Sequence, residues 1–236
     1  MTSTIIFGAS RGLGAAFNLS LPASGDRVWL VSRNRPDLDI SDGVARQWIE
    51  ADLSTPDAPT KVSAGLGATP LDIAVYNAGI WESTAFHPGY SFDDVPDAET
   101  YRILAVNLAS AITCLRAILP NLRQSKAAKI VLIGSTSGLE NIGQPEVATA
   151  ASKFGLRGVA HALREVVRKD GIAVTCLNPG NIGTITVSDG KITSKPHHPR
   201  AMIPPQDLIE LVRCVTRLSN ASCVKEIDVM AMTDSV

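Results

Sequence analysis

A lysine and a hydroxyl residue one helical turn apart are the side chains of this sequence best spaced for proton chemistry. Thr149 and Lys153 lie in a segment of helical periodicity, residues 145–169, and their spacing of four puts both on one helix face. A lysine ammonium favours the ionised form of a neighbouring hydroxyl and so lowers its pKa. An aliphatic hydroxyl, however, behaves like bulk water, with a pKa of about 15.7, against about 10 for a phenol. Thr149 is therefore expected to be a weak proton donor even beside Lys153.

A glycine-rich turn near the start of the chain has the composition of a phosphate-binding site. An apolar run, residues 4–7, leads directly into Gly8, Ser10, Arg11, Gly12, Leu13 and Gly14, where a helical pattern begins. Gly8 lets the chain turn, Gly12 lets the backbone approach a pyrophosphate, and Gly14 lets the helix pack close to the sheet. The free N–H groups of a helix N-terminus attract phosphate. The turn therefore predicts a dinucleotide site.

Strand-like and helix-like segments alternate along the whole chain. Strands are predicted at residues 4–7, 27–31, 47–49, 71–76, 129–133, 173–177 and 226–230, and helices at 13–21, 98–122, 145–169 and 206–218. Repeated β-α-β order demands parallel pairing with right-handed crossovers. The predicted fold class is α/β, a Rossmann-like doubly wound parallel sheet of about seven strands with helices on both faces. No linker or repeat divides residues 1–236, so a single nucleotide-binding domain is expected.

Two long segments without helical or strand periodicity follow predicted strands, at about residues 80–96 and 185–204. Both begin at the carboxyl edge of the sheet, where such folds bind ligands, so both are predicted to be substrate loops. Gly190 in the second loop suggests a mobile lid. Aromatic and aliphatic side chains of these regions could line an apolar pocket, or the aromatics could anchor the first loop or a subunit contact. They are Trp81, Phe86, Tyr90, Phe92, Leu139, Ile142, Ile182 and Ile185.

The end of the second predicted strand bears on the choice of dinucleotide. An NAD-binding protein keeps a carboxylate there to bind the ribose 2′-hydroxyl, whereas this strand ends in Ser32 and Arg33. An arginine can bind the 2′-phosphate of NADP through charge-assisted hydrogen bonds. The alternative is that Arg33 and Arg35 are solvated loop charges. The sequence favours NADP(H).

Several motifs in order along the chain resemble those of the short-chain dehydrogenase/reductase family, of the type called classical. The glycine spacing is GxxxGxG, and Asn77-Ala78-Gly79 matches the family's NAG motif. Ser135 follows the fifth strand, and the segment from Thr149 to Gly155 is similar to YxASKFG with threonine in place of tyrosine. The resemblance implies further cofactor-binding positions. These are Arg11 as a second basic group for NADP, Asp52 and Leu53 at the adenine, Asn77, Ala78 and Gly79, and Pro179, Gly180, Ile182 and Thr184 on the nicotinamide side.

The resemblance also implies a catalytic set of Ser135, Lys153, Asn107 and the altered Thr149. In the family the tyrosine donates a proton as hydride arrives, the serine holds the substrate oxygen and the asparagine keeps a water in the proton relay. The lysine lowers the pKa of the tyrosine and binds the nicotinamide ribose, which makes Lys153 a cofactor residue as well. Threonine is shorter than tyrosine by ~4 Å, more than the reach of one hydrogen bond. A water held by Thr149, Ser135 and Lys153 could fill that space, and Tyr90 and His87 are further candidates for the donor, neither singled out by spacing.

Two functions of different classes follow from this pattern. The first is an NADPH-dependent reductase that transfers hydride to a small carbonyl substrate, or from the matching alcohol, with an altered proton donor. The second is a catalytically degenerate NADP(H)-binding protein that acts as a sensor or an assembly partner. Retention of Ser135, Lys153 and Asn107 favours the first, and the loss of the tyrosine favours the second.

Charge and composition exclude other classes of function. The formal net charge is -1, so the chain has no electrostatic reason to bind nucleic acid or an anionic membrane. Asn107 and Arg116 interrupt the apolar stretch 103–119, no signal peptide is visible, and the four cysteines contain no CxxC pair. We therefore expect a cytoplasmic protein without a metal site. Small residues on the helices at 98–122 and 145–169, which similar proteins pair across a twofold axis, predict a homodimer or homotetramer.

Overall fold

A parallel β-sheet of seven strands forms the centre of the molecule, with helices against both faces. The computed structural model describes residues 1–140, 144–195 and 202–233. The strands are β1 Ser3–Phe7, β2 Arg27–Ser32, β3 Ala45–Glu50, β4 Ile73–Tyr76, β5 Lys129–Ile133, β6 Ala173–Pro179, β7 Thr184–Ser188, β8 Lys191–Lys195 and β9 Glu226–Val229. The helices are α1 Gly12–Ser20, α2 Ala58–Leu66, α3 Asp97–Leu104, α4 Ser110–Leu122, α5 Val147–Val167 and α6 Pro205–Arg217.

The order of strands across the sheet is β3-β2-β1-β4-β5-β6-β9. Every pairing in it is parallel. The direction of progression reverses between β1 and β4, and a crevice opens at the carboxyl ends of the strands at such a switch point. The doubly wound fold expected from the alternating segments is confirmed.

The two faces of the sheet carry separate hydrophobic cores. On one face α2, α4 and α5 bury side chains such as Val62, Leu115 and Leu156 against the sheet. On the other face α1 and α6 bury Phe17 and Leu208. The sheet is thereby covered on both sides, which explains why its inner strands, such as β1 and β5, are continuous apolar runs, whereas the edge strand β3 alternates.

A π-helical turn, Ala105–Ala109, joins α3 to α4. The resulting helical segment Asp97–Leu122 is long and apolar enough to cross a membrane by length and composition alone, and 50% of the 18-residue apolar window within it is buried in the fold. Core helices of proteins that never enter a membrane pass the same test, so this segment is weak support for a membrane span.

Two elements differ from those expected. No helical pattern predicts α2, because its residues APTKVSAGL contain few large apolar side chains. The segment 185–204, expected to be a mobile loop, contains the antiparallel hairpin β7–β8, which turns at Asp189 and Gly190. Both turn residues have positive φ, 50° and 68°, as a tight hairpin with the right-handed strand twist requires. Residues 196–201 of that segment lie outside the described part of the chain.

Candidate active site

A cleft opens at the carboxyl ends of β1 and β4. Most of the predicted cofactor and catalytic residues line it: Gly8, Ser10, Arg11, Gly12, Leu13, Ser32, Arg33, Asp52, Leu53, Asn77, Ala78, Gly79, Ser135, Lys153, Pro179, Gly180 and Ile182. The walls also contain Trp81, expected as a pocket residue, and residues that the sequence did not single out: Val31, Ala51, Ile80, Arg102, Val106, Ile133 and Gly134. Four predicted residues, Gly14, Asn107, Thr149 and Thr184, are outside this lining.

The glycine turn is built to bring backbone, rather than side chains, to the cleft. Gly12 has φ of 57°, and a Cβ atom added there would meet nothing within 4 Å. Gly14 instead faces inward, since an added Cβ would lie 2.0 Å from the carbonyl oxygen of Gly8. The Asn77 amide donates to that same carbonyl at 3.3 Å and so ties the end of β4 to the turn. Gly14 therefore acts by close packing of α1 and not by contact with a ligand.

Three guanidinium groups line the cleft near the end of β2. Arg11 and Arg33 come from the predicted positions, and Arg102 comes from α3. Within the described residues, none of the three forms an ion pair with a carboxylate. Burial raises the pKa of nearby Asp52, but hydrogen bonds from Ser54 and the charges of Arg33 and Arg102 lower it below its ordinary value. Positive charge therefore exceeds negative charge at this end of the cleft.

Ser135 and Lys153 also line the cleft. The Ser135 hydroxyl accepts the backbone N–H of Ser137 at 3.1 Å and donates to the Ser137 hydroxyl at 3.2 Å. Lys153 is 5% exposed, and its ammonium donates to the carbonyl oxygen of Ile133 at 3.1 Å. Burial lowers the pKa of Lys153 to about 8, with a small opposing effect of Cys176. A lysine with this pKa exchanges protons readily near neutral pH.

Thr149 turns its hydroxyl away from the cleft and toward a buried carboxylate. Its Oγ1 donates to Oε2 of Glu82 at 2.6 Å. The other carboxylate oxygen of Glu82 accepts the backbone N–H groups of Ala148 at 2.9 Å and Thr149 at 3.2 Å. Glu82 is 3% exposed. A side chain 67 residues away in sequence therefore caps the N-terminus of α5, where its negative charge meets the positive end of the helix.

A second buried carboxylate forms the reciprocal contact. Glu146, the residue before α5, accepts the backbone N–H of Phe86 through Oε1 at 2.9 Å. Phe86 has φ of 64°, a left-handed conformation that is strained for a phenylalanine. The Glu146 side chain therefore holds the first loop against the N-terminus of α5. Loop and helix each supply a carboxylate to the other.

Asn107 lies in the π-helical turn and is fully buried. Its Oδ1 accepts the backbone N–H of Ile80 at 2.8 Å, and its Nδ2 donates to the carbonyl oxygen of Ile80 at 2.9 Å and to Ser152 at 2.9 Å. The amide is therefore occupied in holding the start of the first loop against α5.

The alternative proton donors from the sequence are poorly placed. The hydroxyl of Tyr90 is buried near the backbone N–H of Val147, at the start of α5, and not in the cleft. Burial, together with the carboxylates of Glu82 and Glu146, raises the pKa of Tyr90. His87 is exposed and its Nδ1 accepts the backbone N–H of Gly89 at 3.1 Å. Neither residue lines the cleft.

The expected apolar pocket is present only in part. Trp81 and Ile182 line the cleft. Phe86 and Phe92 are exposed, and Trp81 packs edge-on against Phe86 with ring centroids 6.2 Å apart. Ile142 lies outside the described residues. The aromatic side chains thus stabilise one another on the outer surface of the loop more than they enclose a cavity.

Comparison with known sequences identifies one family. A family profile described as short chain dehydrogenase matches residues 2–194. The very-long-chain 3-oxoacyl-CoA reductase of Laccaria bicolor is 31% identical over 182 residues, which cover 74% of this chain and 53% of that protein. A 3-oxoacyl-(acyl-carrier-protein) reductase of Aggregatibacter actinomycetemcomitans is 33% identical over 198 residues, with 78% of each chain covered. The chain thus spans about half of the first relative and most of the second.

Solved structures of similar proteins cover nearly the whole chain. A metagenomic short-chain oxidoreductase in complex with NADP has a TM-score of 0.77 at 27% identity, covering 99% of this chain and 98% of the other. The L-sorbose reductase of Gluconobacter frateurii, complexed with NADPH and L-sorbose, has a TM-score of 0.80 at 20% identity, covering 99% and 97%. The second comparison supports the fold alone.

Proposed function

The chain belongs to the short-chain dehydrogenase family, and we propose that it is an NADPH-dependent oxidoreductase that reduces a small carbonyl substrate without the family's tyrosine. The observation that carries this proposal is one continuous cleft that joins the glycine turn and its arginines to Ser135 and Lys153. Relatives with at least 30% identity are named as reductases of 3-oxoacyl substrates. A relative at 27% identity is described in complex with NADP.

The residues at the glycine turn fit a pyrophosphate. The open space beyond Gly12 leaves the backbone accessible to an anion, and the N-terminus of α1 directs its free N–H groups to the same place. Ser10 and Leu13 line the cleft on either side of Gly12.

The arginines fit a 2′-phosphate. Arg11, Arg33 and Arg102 line one end of the cleft without an ion-pair partner among the described residues, and Ser32 stands where a carboxylate would repel the phosphate. The Ser32 hydroxyl donates to the carbonyl oxygen of Asn34 at 2.7 Å, so it holds the turn that carries Arg33. We therefore assign the phosphate to the guanidinium groups, which provide fixed planar donors.

Ser135 and Lys153 are the polar groups on the nicotinamide side. NADPH, when bound, supplies the hydride. The Ser135 hydroxyl is held by Ser137 and can redirect its proton to a substrate oxygen, because its present acceptor is another hydroxyl at 3.2 Å. Trp81 and Ile182 provide apolar contact for the substrate and limit access of water.

A catalytically silent NADP(H)-binding protein remains the second candidate. The observation that favours it is the hydrogen bond from Thr149 to Glu82, because the residue at the tyrosine position serves the helix cap and not the cleft. A sensor or assembly partner needs the arginines and the glycine turn but no proton donor.

Calorimetric titration separates the cofactor question from the catalytic one. We expect NADPH and adenosine 2′,5′-bisphosphate to bind more tightly than NADH and 5′-AMP. Arg33→Ala and Arg102→Ala should each weaken NADPH binding by about 10- to 100-fold, the equivalent of one charge-assisted hydrogen bond, with little change for NADH. The matched control is Arg35→Ala, since Arg35 is exposed on the same turn and does not line the cleft. Tighter binding of NADH would contradict the assignment.

Steady-state assays then separate the two functions. We expect oxidation of NADPH, followed at 340 nm, with members of a panel of ketones, aldehydes and 3-oxoacyl thioesters. Tight binding of NADPH with no turnover across the panel would instead establish the non-catalytic candidate.

We further propose a homo-oligomer assembled through α4 and α5. Ile112, Phe154 and Val166 are each about half exposed on these helices, with exposures of 46%, 46% and 53%. Exposed apolar side chains on neighbouring helices are typical of a subunit contact. Light scattering that gives the monomer mass at micromolar concentration would exclude it.

A further inference from the structure

The groups that line the cleft differ greatly in their ability to release a proton near neutral pH. Its ionisable lining consists of Arg11, Arg33, Arg102, Asp52 and Lys153. Arginine keeps its proton throughout the physiological range. Asp52 accepts two hydrogen bonds from Ser54, and its lowered pKa keeps it a carboxylate with no proton to give. The hydroxyl of Ser135 is as weak an acid as water.

Groups just outside the cleft are engaged elsewhere. The Thr149 hydroxyl donates its hydrogen bond to Glu82, whose two carboxylate oxygens accept three hydrogen bonds in all. The hydroxyl of Tyr76 is buried and donates to the carbonyl oxygen of Val106 at 2.7 Å. Tyr101 is 72% exposed. No tyrosine of the described chain lines the cleft.

Lys153 has both the position and the spare protons. Its Nζ lies between two segments of the cleft wall, donating to the carbonyl oxygen of Ile133 at 3.1 Å and lying 3.4 Å from where a Cβ on Gly79 would be. Within the described residues this is the one hydrogen bond that the ammonium donates, and an ammonium has three protons. Two N–H groups are therefore left, one for the nicotinamide ribose, which the family resemblance assigns to this lysine, and one for the substrate oxygen or a water. The nearest residue on the same helix face, Thr149, is too short to come between Lys153 and a substrate.

We propose that Lys153 itself delivers the proton to the substrate oxygen, directly or through one water, in place of the missing tyrosine. The inference rests on the proposed reductase function. A hydride with its electron pair bonds to the carbonyl carbon, and the π electrons of the C=O bond move to oxygen. That oxygen takes a proton from the Lys153 ammonium and becomes the alcohol. The neutral amine then regains a proton from solvent, so that the chain is unchanged after each cycle.

The energetics of the ammonium support this role. Burial lowers the pKa of Lys153 from 10.5 to about 8, which is close to neutral pH. General acids are most effective when their pKa lies near the operating pH. A lysine with the ordinary value would hold its proton too tightly, and the threonine hydroxyl holds it tighter still.

Three measurements test the proposal. Lys153→Arg keeps the charge but cannot release a proton, so we expect turnover to fall by about 10²–10⁴ while the Kd for NADPH changes only a few-fold. Lys169→Arg is the control, because Lys169 is exposed just beyond the same helix. Turnover of Lys153→Ala should recover in part when methylamine or ammonium is added at pH 7. In the cofactor-free protein, ¹³C NMR of lysine methylene groups should show one lysine with a pKa of about 8 that is lost in Lys153→Ala.

The outcomes distinguish this proposal from the function on which it rests. If wild type reduces no carbonyl compound, the reductase assignment fails and this proposal fails with it. If wild type is active and Lys153→Arg is equally active, the lysine proposal alone is wrong. An NMR titration that places Lys153 near 10.5 also overturns it, whatever the activity. In the supported case, the rate of reduction falls about tenfold per pH unit above the pKa that NMR gives.

Discussion

The carboxylate of Glu82 should account for a large part of the stability of the N-terminus of α5. Glu82→Ala leaves the N–H groups of Ala148 and Thr149 and the Thr149 hydroxyl without their acceptor, all of them buried. Each buried polar group left unsatisfied costs about 1–3 kcal/mol. Entry of water satisfies some of them, so we expect a loss of roughly 3–6 kcal/mol in the free energy of unfolding.

Glu82→Gln should be measured beside Glu82→Ala. The alanine variant can fail to fold, because its expected loss is a large part of the total folding free energy of a protein, about 5–15 kcal/mol. In Glu82→Gln the side-chain carbonyl oxygen still accepts both backbone N–H groups, and the side-chain NH₂ group can donate to Thr149 Oγ1. Only the attraction between the charge and the helix dipole is lost, worth about 0.3–2 kcal/mol. Urea unfolding at pH 7, followed by circular dichroism, measures both variants, with Asp93→Asn as an exposed control on the same loop. A glutamine variant as unstable as the alanine variant, or an alanine variant within 1 kcal/mol of wild type, would refute the capping role.

Three further results are expected. Thr149→Val should lower stability by about 1–3 kcal/mol, because Glu82 loses a donor, yet leave NADPH oxidation unchanged, since the hydroxyl does not line the cleft. Gly14→Ala places a Cβ 2.0 Å from a backbone carbonyl oxygen and should lower the free energy of unfolding by at least ~1–3 kcal/mol. Gly158→Ala on α5 places a Cβ that meets nothing within 4 Å and should raise it by ~0.5–1 kcal/mol. Thermal unfolding measures both variants. Between pH 8 and 10.5 the unfolded chain holds a proton at Lys153 that the folded protein lacks, so stability rises with pH; across this window wild type should gain roughly 3 kcal/mol relative to Lys153→Met in urea titrations.

The parts of this molecule that were predictable are those whose signal is local. The glycine turn stands between an apolar run and a helical pattern, and each of its glycines has a backbone reason to be there. The hairpin β7–β8 was predictable too, because Asp189-Gly190 between two alternating runs is a strong hairpin signal. The expectation that this segment is a mobile lid stays a prediction. Helix α2 was missed because its few apolar side chains give a weak period.

The contacts that were not predictable join residues far apart in sequence. Glu82 and Thr149 are separated by 67 residues, and Phe86 and Glu146 by 60. Nothing in the spacing of either pair says that a loop carboxylate would cap a distant helix. Arg102 was missed for a similar reason, since its position on α3 follows from how that helix crosses the cleft. The chemistry of a cleft wall depends on such crossings, which sequence periodicity does not encode.

The π-helical turn Ala105–Ala109 sets the rotation of α4 relative to α3 about the axis of the helical segment that they form. It contains one residue more per turn than an α-helix, and one residue corresponds to about 100° of rotation. The half before it aims Arg102 at the cleft, and the half after it buries Leu115 and Ile118 in the core. Deletion of one residue from this turn would leave the helical segment continuous and apolar. It would nevertheless rotate Arg102 away from the cleft or Leu115 out of the core. Insertions or deletions in this five-residue turn should therefore be tolerated far less well than substitutions of its side chains.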